Sequence, residues 1–110
     1  MNLTQAEIDR FQRDGFLPIL DVLTADEVRT LHGRLEDIGN EATEFPQEYV
    51  QLEPRVASGE VAADPVRFNN VRKIWNLTTH DELFREYARH PRLVAMATSI
   101  LGPDVKVFLD

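Results

Sequence analysis

Apolar residues recur at helical spacing in several stretches of the chain, and three of these open with the same signal. Thr4 with Glu7 is a capping-box pattern, in which each side chain satisfies a backbone donor that the first helical turn leaves open. Ile8 and Phe11 share a face behind it, and Asp14-Gly15 supplies a left-handed stop that glycine adopts without steric cost, so a short helix is predicted up to Asp14. Thr24 with Glu27 repeats the box, and Val28, Leu31, Leu35 and Ile38 follow at spacings of three, four and three, which predicts a second helix ending at Gly39-Asn40. His32 falls on the flank of that stripe and is expected to be half-buried. The third box is Thr79 with Glu82, followed by the stripe Leu83, Phe84, Tyr87 and Ala88. Pro91 suits the first position of a fourth helix, where a missing N–H costs nothing; Leu93, Met96, Ala97, Ile100 and Leu101 would face inward, and Gly102-Pro103 would end it.

Between the helices the pattern changes. Phe16 to Leu20 reads as a short extended segment, with Pro18 restricting it to an edge or an end of pairing. Residues 41–68 form an irregular loop region, punctuated by Pro46, Pro54, Gly59 and Pro65, in which only Tyr49 to Leu52 looks extended. Phe68 to Leu77 reads as a strand or extended segment with Val71, Lys73 and Trp75 on one side and Arg72 and Ile74 on the other, and neither side is cleanly apolar. Val105 to Leu109 has strand propensity but no hairpin signal beside it, so its edge invites association or a continuation after Asp110. The expected fold class is therefore α+β, about four helices with a few short strands, in a single domain over residues 1–110.

Composition narrows the options. A chain of 110 residues matches one domain, since domains take on the order of 100–200. There is no Cys, which excludes disulfides, thiol nucleophiles and thiolate metal sites. A formal net charge of −7 opposes phosphate backbones and anionic lipid heads, so neither nucleic acid nor membrane is an expected partner. No apolar run approaches the ~20 residues of a membrane span and no leader pattern opens the chain, so a cytoplasmic location is expected. The sequons Asn2-Leu3-Thr4 and Asn76-Leu77-Thr78 are then read as chance.

Two longer stretches carry a family resemblance. LTQAEIDRFQRDGFLPILDVLTADEVRTL, from Leu3 to Leu31, is similar to the start of phytanoyl-CoA dioxygenase-like proteins, a branch of the Fe(II)- and 2-oxoglutarate-dependent oxygenases: a helix, a Gly-Phe strand and a second helix. FREYARHPRLVAMATSILGPDVKVFLD, from Phe84 to Asp110, resembles the family's helix-Pro-helix unit, its Leu-Gly-Pro turn and the strand that enters the catalytic barrel. The resemblance implies the N-terminal helical and stranded layer of a double-stranded β-helix, with the barrel itself largely absent. It also implies hydroxylation of a small organic substrate coupled to 2-oxoglutarate decarboxylation, on iron held by two His and a carboxylate.

The first two ligands of such a site form a His-x-Asp pair, because side chains two apart on a strand point the same way and can meet at one metal. No such pair occurs here: His32 is followed at the second position by Arg34, His90 by Arg92, and His80 by Glu82 in what reads as a helix start. No catalytic residue and no metal ligand is assigned, Fe(II) and 2-oxoglutarate are not expected to bind this chain alone, and the chain alone is expected to be inactive. Arg72, Lys73, Trp75 and Asn76 are the candidates for substrate contact, since a cationic pair beside an aromatic ring could grip an anion; the competing placement puts Ile74 and Trp75 in the core with both cations snorkelling beside them. The rival function is a stand-alone α+β binding or scaffold protein that forms a homo-oligomer through residues 105–109.

Overall fold

The computed structural model describes residues 2–110, and helix α1 (Gln5–Asp14) opens as its sequence dictates: the Thr4 and Glu7 side chains each meet the other's backbone N–H. Gly15 ends it at φ 80°, with its N–H donating to the Phe11 carbonyl at 2.8 Å. Helix α2 (Ala25–Gly39) starts on the complete Thr24/Glu27 box. Of its stripe, only Ile38 is fully buried, while Val28, predicted to face inward, is exposed. His32 is likewise exposed, and its Nδ1 lies 3.0 Å from Glu36 Oε1.

The middle of the chain forms a two-stranded antiparallel sheet, β1 (Val50–Leu52) with β2 (Val71–Ile74). One-turn helix α3 (Pro54–Ala57) and 3₁₀ turns at Gln47–Tyr49 and Arg67–Asn70 flank the strands. The register explains why alternation in β2 reads poorly. Val50 pairs with Ile74, Gln51 with Lys73, and Leu52 with Val71, so Arg72 is the extra residue of a bulge. The bulge lets Val71 and Ile74, which a regular strand would send to opposite faces, both pack on the core of Ile38, Phe45 and Val50. The strand predicted to reach Leu77 stops at Ile74, and Asn76 turns the chain at φ 57°, a left-handed conformation that Asn tolerates better than most residues.

The third capping signal resolves differently from expectation. Leu77–His80 forms a one-turn helix, α4, and the next helix, α5 (Glu82–Ala88), is capped by Asp81, whose side chain accepts from Phe84 N. Thr79 is not the cap: Asp81 is the better acceptor, and its carboxylate is buried against Arg34 of α2, whose Nε donates to Oδ2 at 2.6 Å. Helix α6 (Pro91–Leu101) begins at Pro91 as predicted and buries Met96, but Leu101 stays exposed. Neither Phe16–Leu20 nor Val105–Leu109 joins a ladder.

The four helices of seven residues or more and the small sheet give the expected α+β class. The arrangement is open. It exposes 7851 Å², against roughly 6,200 Å² for a closed monomer of this mass, and its radius of gyration is 17.1 Å, against about 13 Å for a compact domain of this length. Among the described residues five large apolar side chains are buried: Leu3, Ile38, Phe45, Val50 and Met96.

Candidate functional site

The four residues singled out for substrate contact lie together on and just after β2, and the structure divides them by exposure. Arg72 and Lys73 are exposed, while Trp75 and Asn76 are half-buried. Lys73 Nζ sits 4.8 Å from the Trp75 ring centroid, a cation–π distance, so the indole and the ammonium already occupy one another. Trp75 in turn meets Tyr49 edge-on at 5.9 Å, and its backbone N–H donates to the Tyr49 carbonyl at 3.0 Å.

Sequence reasoning did not bring Tyr49 and His80 to this place. The His80 ring stacks on Tyr49 at 4.9 Å and meets Phe45 edge-on at 6.1 Å, which extends the aromatic row from the sheet to α4. The aromatic character of residues 45–49 was visible in the sequence, but the partner 31 positions after Tyr49 was not. Asp110 closes the same corner: its carbonyl accepts from Asn76 N at 3.2 Å and its Oδ2 accepts from Thr78 N at 2.6 Å.

A second polar cluster joins the two longest helices. Glu27, already capping α2, takes both carboxylate oxygens to Arg92 Nη2 at 2.7 and 2.6 Å and places Oε1 3.1 Å from His90 Nε2. The hydrogen bond from the Thr24 backbone, aided by His90 and Arg92 and opposed by partial burial, pulls the Glu27 carboxyl down to about 2. His90 also caps α6, its Nδ1 accepting from Arg92 N at 3.2 Å. The contacts of Glu27 with Arg92 and His90 hold α2 against α6, so the cluster reads as a structural clasp.

The residues present do not fit a two-His, one-carboxylate iron. His32 lies beside Glu36 on the exposed face of α2, His80 is committed to Tyr49 and Phe45, and His90 belongs to the clasp. His80 and Glu82 are both exposed and flank the extended residue Asp81 at the break between α4 and α5, rather than standing in the first turn of one helix. Asp81, the most buried acid, already receives Arg34 and the Phe84 N–H. Among the described residues no group of three or more His, Asp or Glu could hold a metal ion, and no helix is long and apolar enough to cross a membrane.

Residues 11–108 match the family model described as phytanoyl-CoA dioxygenase (PhyH), and the chain belongs to that family of Fe(II)- and 2-oxoglutarate-dependent oxygenases. It is 31% identical over 101 residues to an ectoine dioxygenase of Stutzerimonas stutzeri, covering 91% of this chain and 29% of the relative. Ectoine dioxygenases of Streptomyces avermitilis and Streptomyces coelicolor are 27% and 26% identical over 105 residues, covering 96% of this chain and 32% and 31% of those proteins. The chain thus spans about a third of the length of the curated relatives it matches. No solved structure matches it.

Proposed function

We propose that these residues are the N-terminal helical and stranded layer of an Fe(II)- and 2-oxoglutarate-dependent dioxygenase that hydroxylates a small organic molecule, with ectoine the first substrate to test. The observation that carries this reading is the continuous family match over residues 11–108, in relatives about three times as long. The open shape supports it, because a layer that buttresses a barrel keeps one apolar side free for that barrel. On this reading the iron ligands and the groups that grip 2-oxoglutarate lie in the part of the fold these residues support, the layer alone is inactive, and Arg72, Lys73, Trp75 and Asn76 stand at the mouth of the complete site.

The test is a graft. Residues 1–110 replace the matching third of the Streptomyces avermitilis enzyme, and ectoine-dependent succinate formation is measured. Retained turnover is expected, and a folded graft that no longer turns over would remove the reading. Anaerobic titration of the 110-residue chain with Fe(II) and 2-oxoglutarate should show no stoichiometric uptake; a tight one-to-one site would show that it holds a metal centre of its own.

One observation favours a second reading, a stand-alone binding or scaffold protein that self-associates through residues 105–109: Val107, Phe108 and Leu109 are 51%, 95% and 78% exposed. Light scattering on the isolated chain decides it, since this reading requires a discrete oligomer that Phe108→Ser dissolves, and a monodisperse monomer excludes it.

A further inference from the structure

After β2 the chain passes through Trp75 and Asn76 into α4, a single helical turn, with Asn76 in the left-handed region at φ 57°. One turn closes too few hydrogen bonds to sustain itself, and a left-handed asparagine persists where its surroundings fix it. Inside the turn the Asn76 and Leu77 carbonyls accept from the backbone N–H groups of His80 and Asp81 at 3.2 and 2.8 Å. Other main-chain groups of a helix end need partners from outside.

Two charged residues distant from the turn supply them. At its start, the Asp110 carbonyl accepts from Asn76 N at 3.2 Å and Asp110 Oδ2 accepts from Thr78 N at 2.6 Å. At its end, Arg85 Nε donates to the Thr78 carbonyl at 2.9 Å and Arg85 Nη2 to the Thr79 carbonyl at 2.7 Å. A guanidinium fork suits two adjacent carbonyls because its donors are fixed in one plane. Arg85 also connects the turn to the framework: it stands on α5, whose cap Asp81 is bonded to Arg34 of α2 at 2.6 Å. The held turn in turn sets the aromatic row, since His80 stacks on Tyr49 and Tyr49 meets the Trp75 ring.

We propose that Arg85 and Asp110 are positioning residues for substrate recognition: by clamping the 76–80 turn from both ends they aim Trp75 and Asn76 at the organic substrate. This rests on the oxygenase reading and on the place it gives residues 72–76 at the mouth of the site.

Two measurements test it on Arg85→Met and Asp110→Ala, with Asp110→Asn, which keeps an acceptor oxygen, as the conservative variant. Trp75 is the one tryptophan of the chain, so its emission reads the turn directly in the 110-residue protein. Red-shifted emission and stronger iodide quenching are expected in Arg85→Met and Asp110→Ala and not in Asp110→Asn, with far-UV circular dichroism unchanged in all three. In the graft described above, the same two variants should raise the KM for ectoine about tenfold, the size of one lost hydrogen bond or ring contact, and leave kcat and the KM for 2-oxoglutarate near the parent's. Asp110→Asn should restore the parent KM. A turn that merely supports folding would lower kcat through the folded fraction and leave the ectoine KM alone. A parent graft without turnover would remove the oxygenase reading and this role with it. With an active parent, unchanged Trp75 emission, an unchanged ectoine KM or a fall in kcat alone would overturn the positioning role by itself. If Arg85→Met fails to fold, the Asp110→Ala and Asp110→Asn pair decides.

Discussion

The centre of this molecule and its C-terminal end both carry large apolar side chains, yet they end in different states. Around Ile38, the end of α2, the bulged sheet and the start of α5 enclose a core and seal it with long-range polar contacts: Arg34 to Asp81, Arg67 Nη1 to the Gly39 carbonyl at 2.7 Å, and Phe68 N to Asn40 Oδ1 at 2.7 Å. From Leu101 to Leu109, by contrast, Leu101, Val107, Phe108 and Leu109 are exposed among the described residues, Phe108 at 95%. Hydrophobicity supplies a drive toward burial, and whether burial occurs depends on a partner surface at the right place.

Substitutions can break that contrast. Ile38→Ala has the largest expected effect, a loss of about 2–5 kcal/mol in urea unfolding, because the side chain is fully buried and the cavity relaxes only in part. Gly39→Ala should follow at about 1–3 kcal/mol, since a Cβ there would overlap the Phe68 ring, which must shift to admit it. Asp81→Ala removes the cap of α5 and the partner of Arg34. It should cost about 1–3 kcal/mol, moderated by the water that Arg34 can still reach, and a second substitution Arg34→Met should recover part of the loss.

The clasp gives a smaller effect with a pH signature. Glu27 is lowered from its ordinary 4.5 to about 2, so its stabilising contribution is complete above the ordinary value and is lost as the pH falls toward 2. Glu27→Gln keeps a capping side chain but drops the charge facing Arg92; its melting temperature should lie below the parent's at neutral pH, with the gap closing between pH 5 and pH 2. A gap that is constant with pH would show that the charge contributes nothing. Phe108→Ser sharpens the comparison from the other side. In monomeric chain it should change stability by less than about 0.5 kcal/mol, because an exposed ring has no packing to lose.

The parts legible in the sequence are those governed by neighbours a few residues away. The boxes at Thr4 and Thr24, the glycine stop at Gly15 and the proline start at Pro91 all stand where the sequence predicts them. Thr79 failed for want of distant information: it carries the same local pattern, but Asp81, two residues on, is selected as the cap by an arginine 47 positions away. The candidate site shows the same division. Trp75 and Lys73 were visible as neighbours in a strand, while the stack of His80 on Tyr49 and the closure of the turn by Asp110 depend on chain segments meeting in space.

Local chemistry therefore set the class of fold and the helix starts and stops, because capping and periodicity act within one or two turns. Three-dimensional packing alone chose which apolar faces were buried and placed the bulge at Arg72 that brings Val71 and Ile74 onto one core. These outcomes turn on side chains far apart in sequence competing for the same space and the same charge, a competition that no short window of residues contains.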